Sequence, residues 1–195
     1  MNKGGAKMNM PNKLTIFRIL LVPAIVLVLV SSCLYKNCVA FGLFLIASYT
    51  DHLDGKWARK KGLITNFGKI MDPLADKILV ASIFICFVDL KLVPIIPVII
   101  IVMREFIITS IRLLILENNK TIVPANIFGK LKTVVQMFAI IAVFYFEIFK
   151  EIGLNLSIAQ FQTYMQNILI WLAAILSIIS GIIYVVQNKK YISVN

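Results

Sequence analysis

The chain has 195 residues, of which 60% are hydrophobic and only 15% charged, with a mean hydropathy of +0.91 and a net charge of +11. Soluble globular domains carry roughly 25% charged residues, so this composition excludes one and predicts an all-α, polytopic membrane protein with membrane lipids around it. Nucleic acid is not an expected partner, because no basic patch is interleaved with exposed aromatic residues.

Six apolar runs are expected to span the bilayer, at about 14–34, 39–58, 70–90, 93–116, 131–149 and 166–187. Each approaches the ~20 residues needed to cross ~30 Å of hydrocarbon. The breaks between them are short and polar, without a repeat or a low-complexity linker. The expected organisation is a cytosolic segment 1–13, one six-helix transmembrane domain over 14–187, and a cytosolic tail 188–195.

Lysines precede the first span, and "VSSC" ending at Cys33 loosely resembles a lipoprotein cleavage site. The length of the span and the five that follow favour an uncleaved helix. Cys33 and Cys38 fall in or beside the first outside loop. A C-x4-C spacing alone is weak evidence for a disulfide, and small apolar packing explains it equally. No zinc pattern is present, and His52, the one histidine, has no ligand partner near it in sequence.

Charge placement sets the expected topology. With a cytosolic N-terminus, the inside segments hold Lys3, Lys7, Lys13, Arg18, Lys56, Arg59, Lys60, Lys61, Lys69, Lys120, Lys130, Lys132, Lys189 and Lys190. The outside loops hold only Lys36, Lys91 and Lys150. This is the positive-inside pattern, and the basic rim attracts anionic headgroups and phosphate-bearing substrates.

The second and third spans meet at "DHLDGKWARKKGLITNFGKIMDPLAD", residues 51–76, which holds four of the nine acidic residues. Asp51, Asp54, Gly55 and Ala58 share one helical face, as do Gly68, Asp72 and Asp76 on the next helix. The short "KKGLITN" turn makes the two helices antiparallel neighbours whose carboxylates converge at the cytosolic boundary. At an effective dielectric near 20, two like charges ~4 Å apart repel by about 4 kcal/mol. Shifted protonation, Lys or Arg partners, or metal ions each relieve that repulsion. Oxygen-only ligation favours a hard cation, Mg²⁺, Mn²⁺ or Ca²⁺. Gly55, Ala58 and Gly68 fit either close helix packing or the floor of a ligand cleft. Arg59 fits a salt bridge or a clamp on a substrate phosphate.

Asp51, Asp54, Gly55, Ala58, Arg59, Gly68, Asp72 and Asp76 form the pattern D-x2-D-G-x2-A-R-x8-G-x3-D-x3-D. This resembles the signature of the CDP-alcohol phosphatidyltransferase family at all its fixed positions. The resemblance implies a homodimeric enzyme of the cell membrane, with six transmembrane helices around a polar cavity open to the cytosol. It implies that Asp51, Asp54, Asp72 and Asp76 hold divalent metal, Mg²⁺ or Mn²⁺, as two ions. Asp76 is also implied as general base on the acceptor hydroxyl. Asp54, Gly55, Ala58, Arg59 and Gly68 are implied to bind the CDP moiety of CDP-diacylglycerol, with CMP as leaving group.

Outside the signature, "MPNKLTIFRILLVP", "DPLADKILVAS", "REFIITSIRLL" and "GKLKT" resemble the members whose acceptor is sn-glycerol 3-phosphate. The head "MNKGGAKMNMPNKLT" starts early for that group, with Met8 or Met10 as an alternative start or residues 1–7 as an extension. Arg104 and Arg112 stand two turns apart on nearly one face of the fourth span, where charge is costly and usually faces a polar cavity. With Lys130 and Lys132 they are the expected acceptor phosphate-binding set. The plainer alternative pairs Arg104 with Glu105 and lets Arg112 snorkel to the interface. Trp57 and Trp171 are expected as interfacial anchors. Phosphatidylglycerol, serine or an inositol phosphate as acceptor, and a divalent-cation transporter using the aspartates in transit, are the competing readings.

Overall fold

Hydropathy marks only the apolar middle of each helix, whereas backbone hydrogen bonding carries the helix on into polar flanks. A computed structural model describes residues 10–61, 66–119, 127–153 and 159–189, with side chains at all of these except 10–13, 51–70, 72–73, 116–119 and 159–160. Among the described residues the regular structure is helical, without strands: α1 Met10–Val30, α2 Lys36–Lys61, α3 Asn66–Asp89, α4 Ile95–Asn119, α5 Ile127–Glu151 and α6 Ala159–Gln187. Each predicted span lies within or across one of them. α1 starts four residues earlier than expected because Pro11, which needs no backbone donor, is tolerated in a first turn. α6 starts seven residues early, so Trp171, expected near a span end, stands in the helix interior. α5 and the Phe161–Gln187 part of α6 are long and apolar enough to cross a membrane, and Leu14–Val30 of α1 is a shorter apolar helix.

The main helix pairings are α1 with α2 and α3, α4 with α3 and α6, and α5 with α2 and α6. They close a ring in the order α1, α2, α5, α6, α4, α3. Its apolar interior is anchored by Phe41 and Phe44 of α2, Phe87 of α3 and Phe144 of α5. The Phe144 ring lies 5.3 Å from Phe41, 6.1 Å from Phe44 and edge-on to Phe87 at 5.1 Å. Phe44, Phe87 and Phe144 are fully buried. Edge-to-face and offset ring contacts of this kind add to simple burial.

One end of the ring is tied by Glu151 at the close of α5. Its Oε1 accepts from the Asn37 backbone N–H at 2.9 Å and from Asn37 Nδ2 at 2.8 Å, and its Oε2 from the Cys38 N–H at 3.4 Å. Those backbone donors belong to the first turn of α2 and have no partner within the helix, and a carboxylate also suits the positive end of the helix dipole. The start of α2 therefore sits beside the end of α5. The opposite end of the ring gathers the end of α2, the start of α3 five residues later, and the start of α5. Cys33 and Cys38 are exposed free thiols.

α3 stops with Lys91 in the left-handed conformation (φ 57°), its N–H bonded to Val88 O and the Leu92 N–H bonded back to Phe87 O at 2.8 Å. Glycine is the usual residue at this position. Lys91→Gly is therefore expected to raise stability by about 1 kcal/mol, read as a higher midpoint in denaturant titration of the purified protein. Phe144→Ala, which opens a hole between three rings, is expected to lower stability by about 3–5 kcal/mol in the same titration.

Candidate functional site

The backbone puts the aspartate segment on two consecutive helix ends. Asp51 lies ten residues before Lys61, the end of α2, and Asp76 ten residues after Asn66, the start of α3. Asp54 and Asp72 lie seven and six residues from the same ends. Helical phasing keeps Asp51, Asp54, Gly55 and Ala58 on one face of α2, and Gly68, Asp72 and Asp76 on one face of α3. The side chains of Asp51, Asp54, Gly55, Ala58, Arg59, Gly68 and Asp72 lie outside the described residues, so their predicted contacts do too. Among the described residues no group of three His, Cys, Asp or Glu forms a metal cage.

Asp76 is described. Its carboxylate is 40% exposed, and Oδ2 lies 3.2 Å from Lys77 Nζ. Lys77 leads into a cavity of about 360 Å³ bordered by four helices. α3 contributes Lys77, and α4 contributes Arg104, Glu105, Thr109 and Arg112 along one face. The first turns of α5 contribute Lys130 and Lys132, and α6 contributes Ser180 and Tyr184. All four cations predicted for an acceptor phosphate thus border one cavity. The spacing explains it: residues 104, 105, 108, 109 and 112 repeat at helical period, as do 180 and 184.

Each cation has its own environment. Arg104 donates from Nη2 to Ser180 Oγ at 2.8 Å, and Nη1 stands 3.5 Å from Glu105 Oε1. Its Nε is buried without a hydrogen-bond partner. The pairing of Arg104 with its sequence neighbour is present but long, and the α6 serine is the closer contact. Arg112 stacks its guanidinium over the Tyr184 ring, 5.5 Å from the centroid, a cation–π contact. Lys130 is exposed at the cavity mouth. Lys132 is buried, with its ammonium on Glu105 Oε1. Glu105 Oε2 takes Lys77 Nζ at 3.1 Å, and Gln136 Nε2 lies 3.4 Å from Oε1.

The sequence patterns do not single out Lys77, Gln136, Ser180, Gly181 or Tyr184. The available signal was small and polar residues at helical spacing inside an apolar run, which mark close helix approach. Gly181 shows the effect: a Cβ there would stand 3.2 Å from both Cγ and Nε of Arg104. A wall with this surplus of positive charge suits an anionic ligand, with guanidinium forks matched to phosphate oxygens.

Residues 8–179 match the family model described as CDP-alcohol phosphatidyltransferase. Among curated relatives, a CDP-diacylglycerol–glycerol-3-phosphate 3-phosphatidyltransferase of Bacillus subtilis (strain 168) is 35% identical over 192 residues, covering 92% of this chain and 95% of the relative. A protein of the same description from Rickettsia bellii is 37% identical, covering 94% and 97%. Another from Mycoplasma pneumoniae is 32% identical, covering 95% and 89%.

The close approach at Gly181 is testable without any assumed reaction. Inorganic phosphate is expected to raise the melting temperature of the purified protein. Gly181→Val, which drives a branched side chain against Arg104, is expected to weaken that phosphate effect by about tenfold, the cost of one charge-assisted hydrogen bond. Gly181→Ala, met only by a flexible side chain, is expected to stay within about threefold.

Proposed function

This chain belongs to the CDP-alcohol phosphatidyltransferase family, and from that premise we propose that it transfers the phosphatidyl group of CDP-diacylglycerol to sn-glycerol 3-phosphate, giving phosphatidylglycerophosphate and CMP. The observation that carries the choice of acceptor is the convergence of Arg104, Arg112, Lys130 and Lys132 on one cavity, reached from Asp76 through Lys77. A phosphomonoester in that cavity puts its glycerol end toward Asp76.

The acceptor's phosphate is held by the cationic wall, which orients its free primary hydroxyl. Asp76, with its carboxylate part-exposed, takes the hydroxyl proton as general base. The alkoxide oxygen forms a bond to the phosphatidyl phosphorus as the bond to CMP breaks, and CMP carries the electron pair away. Gly55, Ala58 and Gly68, on the carboxylate faces of α2 and α3, give the cytidine nucleotide room, with Asp54 and Arg59 beside it.

The donor set fits a hard divalent cation: four carboxylates, without thiol or imidazole, at matched levels on two consecutive helix ends. Asp51, Asp54, Asp72 and Asp76 would hold Mg²⁺ or Mn²⁺, as two ions. Bound there, the metal supplies electrostatic neutralisation of the diphosphate. All six helices are read as crossing the cell membrane, with the aspartates, the cavity and both chain ends on the cytosolic side, in a homodimer. Contact between the start of α2 and the end of α5 supports this alternation, because it sets Lys36 and Lys150 together at the sparsely charged end. A cation-transit role is less well supported. Glu105, the acid nearest the cavity on another helix, has both oxygens engaged by lysines.

The test is turnover of CDP-diacylglycerol by purified protein, with Mg²⁺ and Mn²⁺ compared, against glycerol 3-phosphate, phosphatidylglycerol, serine and inositol phosphate. Product is expected from glycerol 3-phosphate, and its absence overturns the acceptor assignment. Asp76→Asn is expected to lower kcat by about 10²–10⁴-fold, the usual worth of a general base.

A further inference from the structure

Among the described residues bordering the cavity Glu105 is the one carboxylate, and the cations around it are not equivalent. Its side chain is 7% exposed, and both its oxygens are engaged: Oε1 by Lys132 and Oε2 by Lys77. Lys132 is itself 4% exposed. Lys77 spans two acids, 3.1 Å from Glu105 Oε2 and 3.2 Å from Asp76 Oδ2. Asp76, Lys77, Glu105 and Lys132 therefore form one continuous ionic chain across α3, α4 and α5. A buried charge deprived of its partner is strongly unfavourable, so neither Glu105 nor Lys132 is at liberty to leave the other for a ligand. Arg112 and Lys130 are exposed at the cavity. Arg104, hydrogen-bonded to Ser180 and with Nη1 at a longer 3.5 Å from Glu105 Oε1, keeps a buried Nε without a partner.

We propose that Glu105 sorts the cations of the cavity. It holds Lys77 and Lys132 as a brace that fixes Asp76 relative to the cavity, and it leaves Arg112 and Lys130, with Arg104 steadied between Glu105 and Ser180, to bind the acceptor's phosphate. Glu105, Lys77 and Lys132 are positioning residues in this assignment, and Lys132 passes from the phosphate-binding set to the brace. The kinetic part rests on the reaction proposed above; the sorting of cations does not. A site divided in this way has a physical rationale. An anion-binding wall made wholly of mobile lysines would collapse onto the nearest carboxylate, including the general base. Committing two ammoniums to a buried acid keeps them in place. The base is then held by a lysine that is itself fixed from the other side.

The primary test is titration of purified protein with inorganic phosphate, followed by thermal shift. Lys130→Met and Arg112→Met are expected to weaken phosphate binding about tenfold or more, as loss of a charge-assisted contact does. Lys132→Met/Glu105→Met, which removes the buried pair together and leaves Lys77 on Asp76 and Arg104 on Ser180, is expected to stay within about threefold. In steady-state kinetics Glu105→Gln and Lys132→Met should lower kcat by about tenfold or more through a misplaced base. Their KM for glycerol 3-phosphate should stay within about threefold, whereas Lys130→Met and Arg112→Met should raise that KM at nearly constant kcat. Where Lys132→Met does not fold, the double variant and the conservative Lys132→Arg carry the comparison, the latter expected to recover activity.

The proposal is overturned if removal of the Lys132–Glu105 pair weakens phosphate as much as Lys130→Met does. It is equally overturned if wild-type protein shows no phosphate effect, or if Lys132→Met raises KM while kcat stands. Absence of turnover with glycerol 3-phosphate would instead overturn the proposed reaction, and the phosphate titration would still decide the sorting of cations.

Discussion

A carboxylate sealed inside a helical ring has to be matched by positive charge from its neighbours, and at Glu105 that requirement organises the site end of the molecule. Its partners come from α3 and α5, and its own helix continues along the cavity wall to Arg112. Buried ion pairs of this kind are poor sources of net stability but costly to break singly. They restrict geometry more than they stabilise. The three helices cannot slide past one another without parting a charge from its partner. The distance from Asp76 to the cationic wall is set by that restriction.

The rest of the ring serves the same end from a distance. The phenylalanine cluster joins α2, α3 and α5 in the apolar interior, and Glu151 ties α5 to the first turn of α2 at the far end. These contacts determine which helix ends lie together at the site. α6 closes the cavity with small and amphipathic residues. Gly181 lets the Arg104 stem pass close to the helix backbone, Ser180 takes its guanidinium, and Tyr184 receives Arg112. An apolar helix with bulky residues at those positions would leave both arginines without a wall.

Much of the candidate site is suggested by chemistry that is unusual in an apolar chain. Four aspartates phased on two helix ends stand out against a 60% hydrophobic background, and arginines two turns apart in an apolar run require a polar neighbour. Lys130 and Lys132 were readable as basic residues at the start of a span. Their difference was not: they sit two apart on one helix, so they point in different directions, and only the position of Glu105 shows which is buried. Gln136, Ser180 and Tyr184 carried weak signals because isolated polar residues in an apolar helix have many structural uses. The early starts of α1 and α6 were missed because hydropathy follows apolar content, whereas a helix continues wherever its backbone bonds can form.

Composition, helical periodicity and one fixed-spacing pattern determined the helical class, the approximate extent of the helices, the acidic segment and the set of candidate cations. They do so because each depends on the properties of residues near in sequence. The ring order, the meeting of four helices at one cavity, and the division of its lysines between a buried carboxylate and solvent were decided by tertiary structure. Charges gain or lose partners across tens of residues of chain, and a side chain's electrostatic role is set by the groups that packing brings beside it.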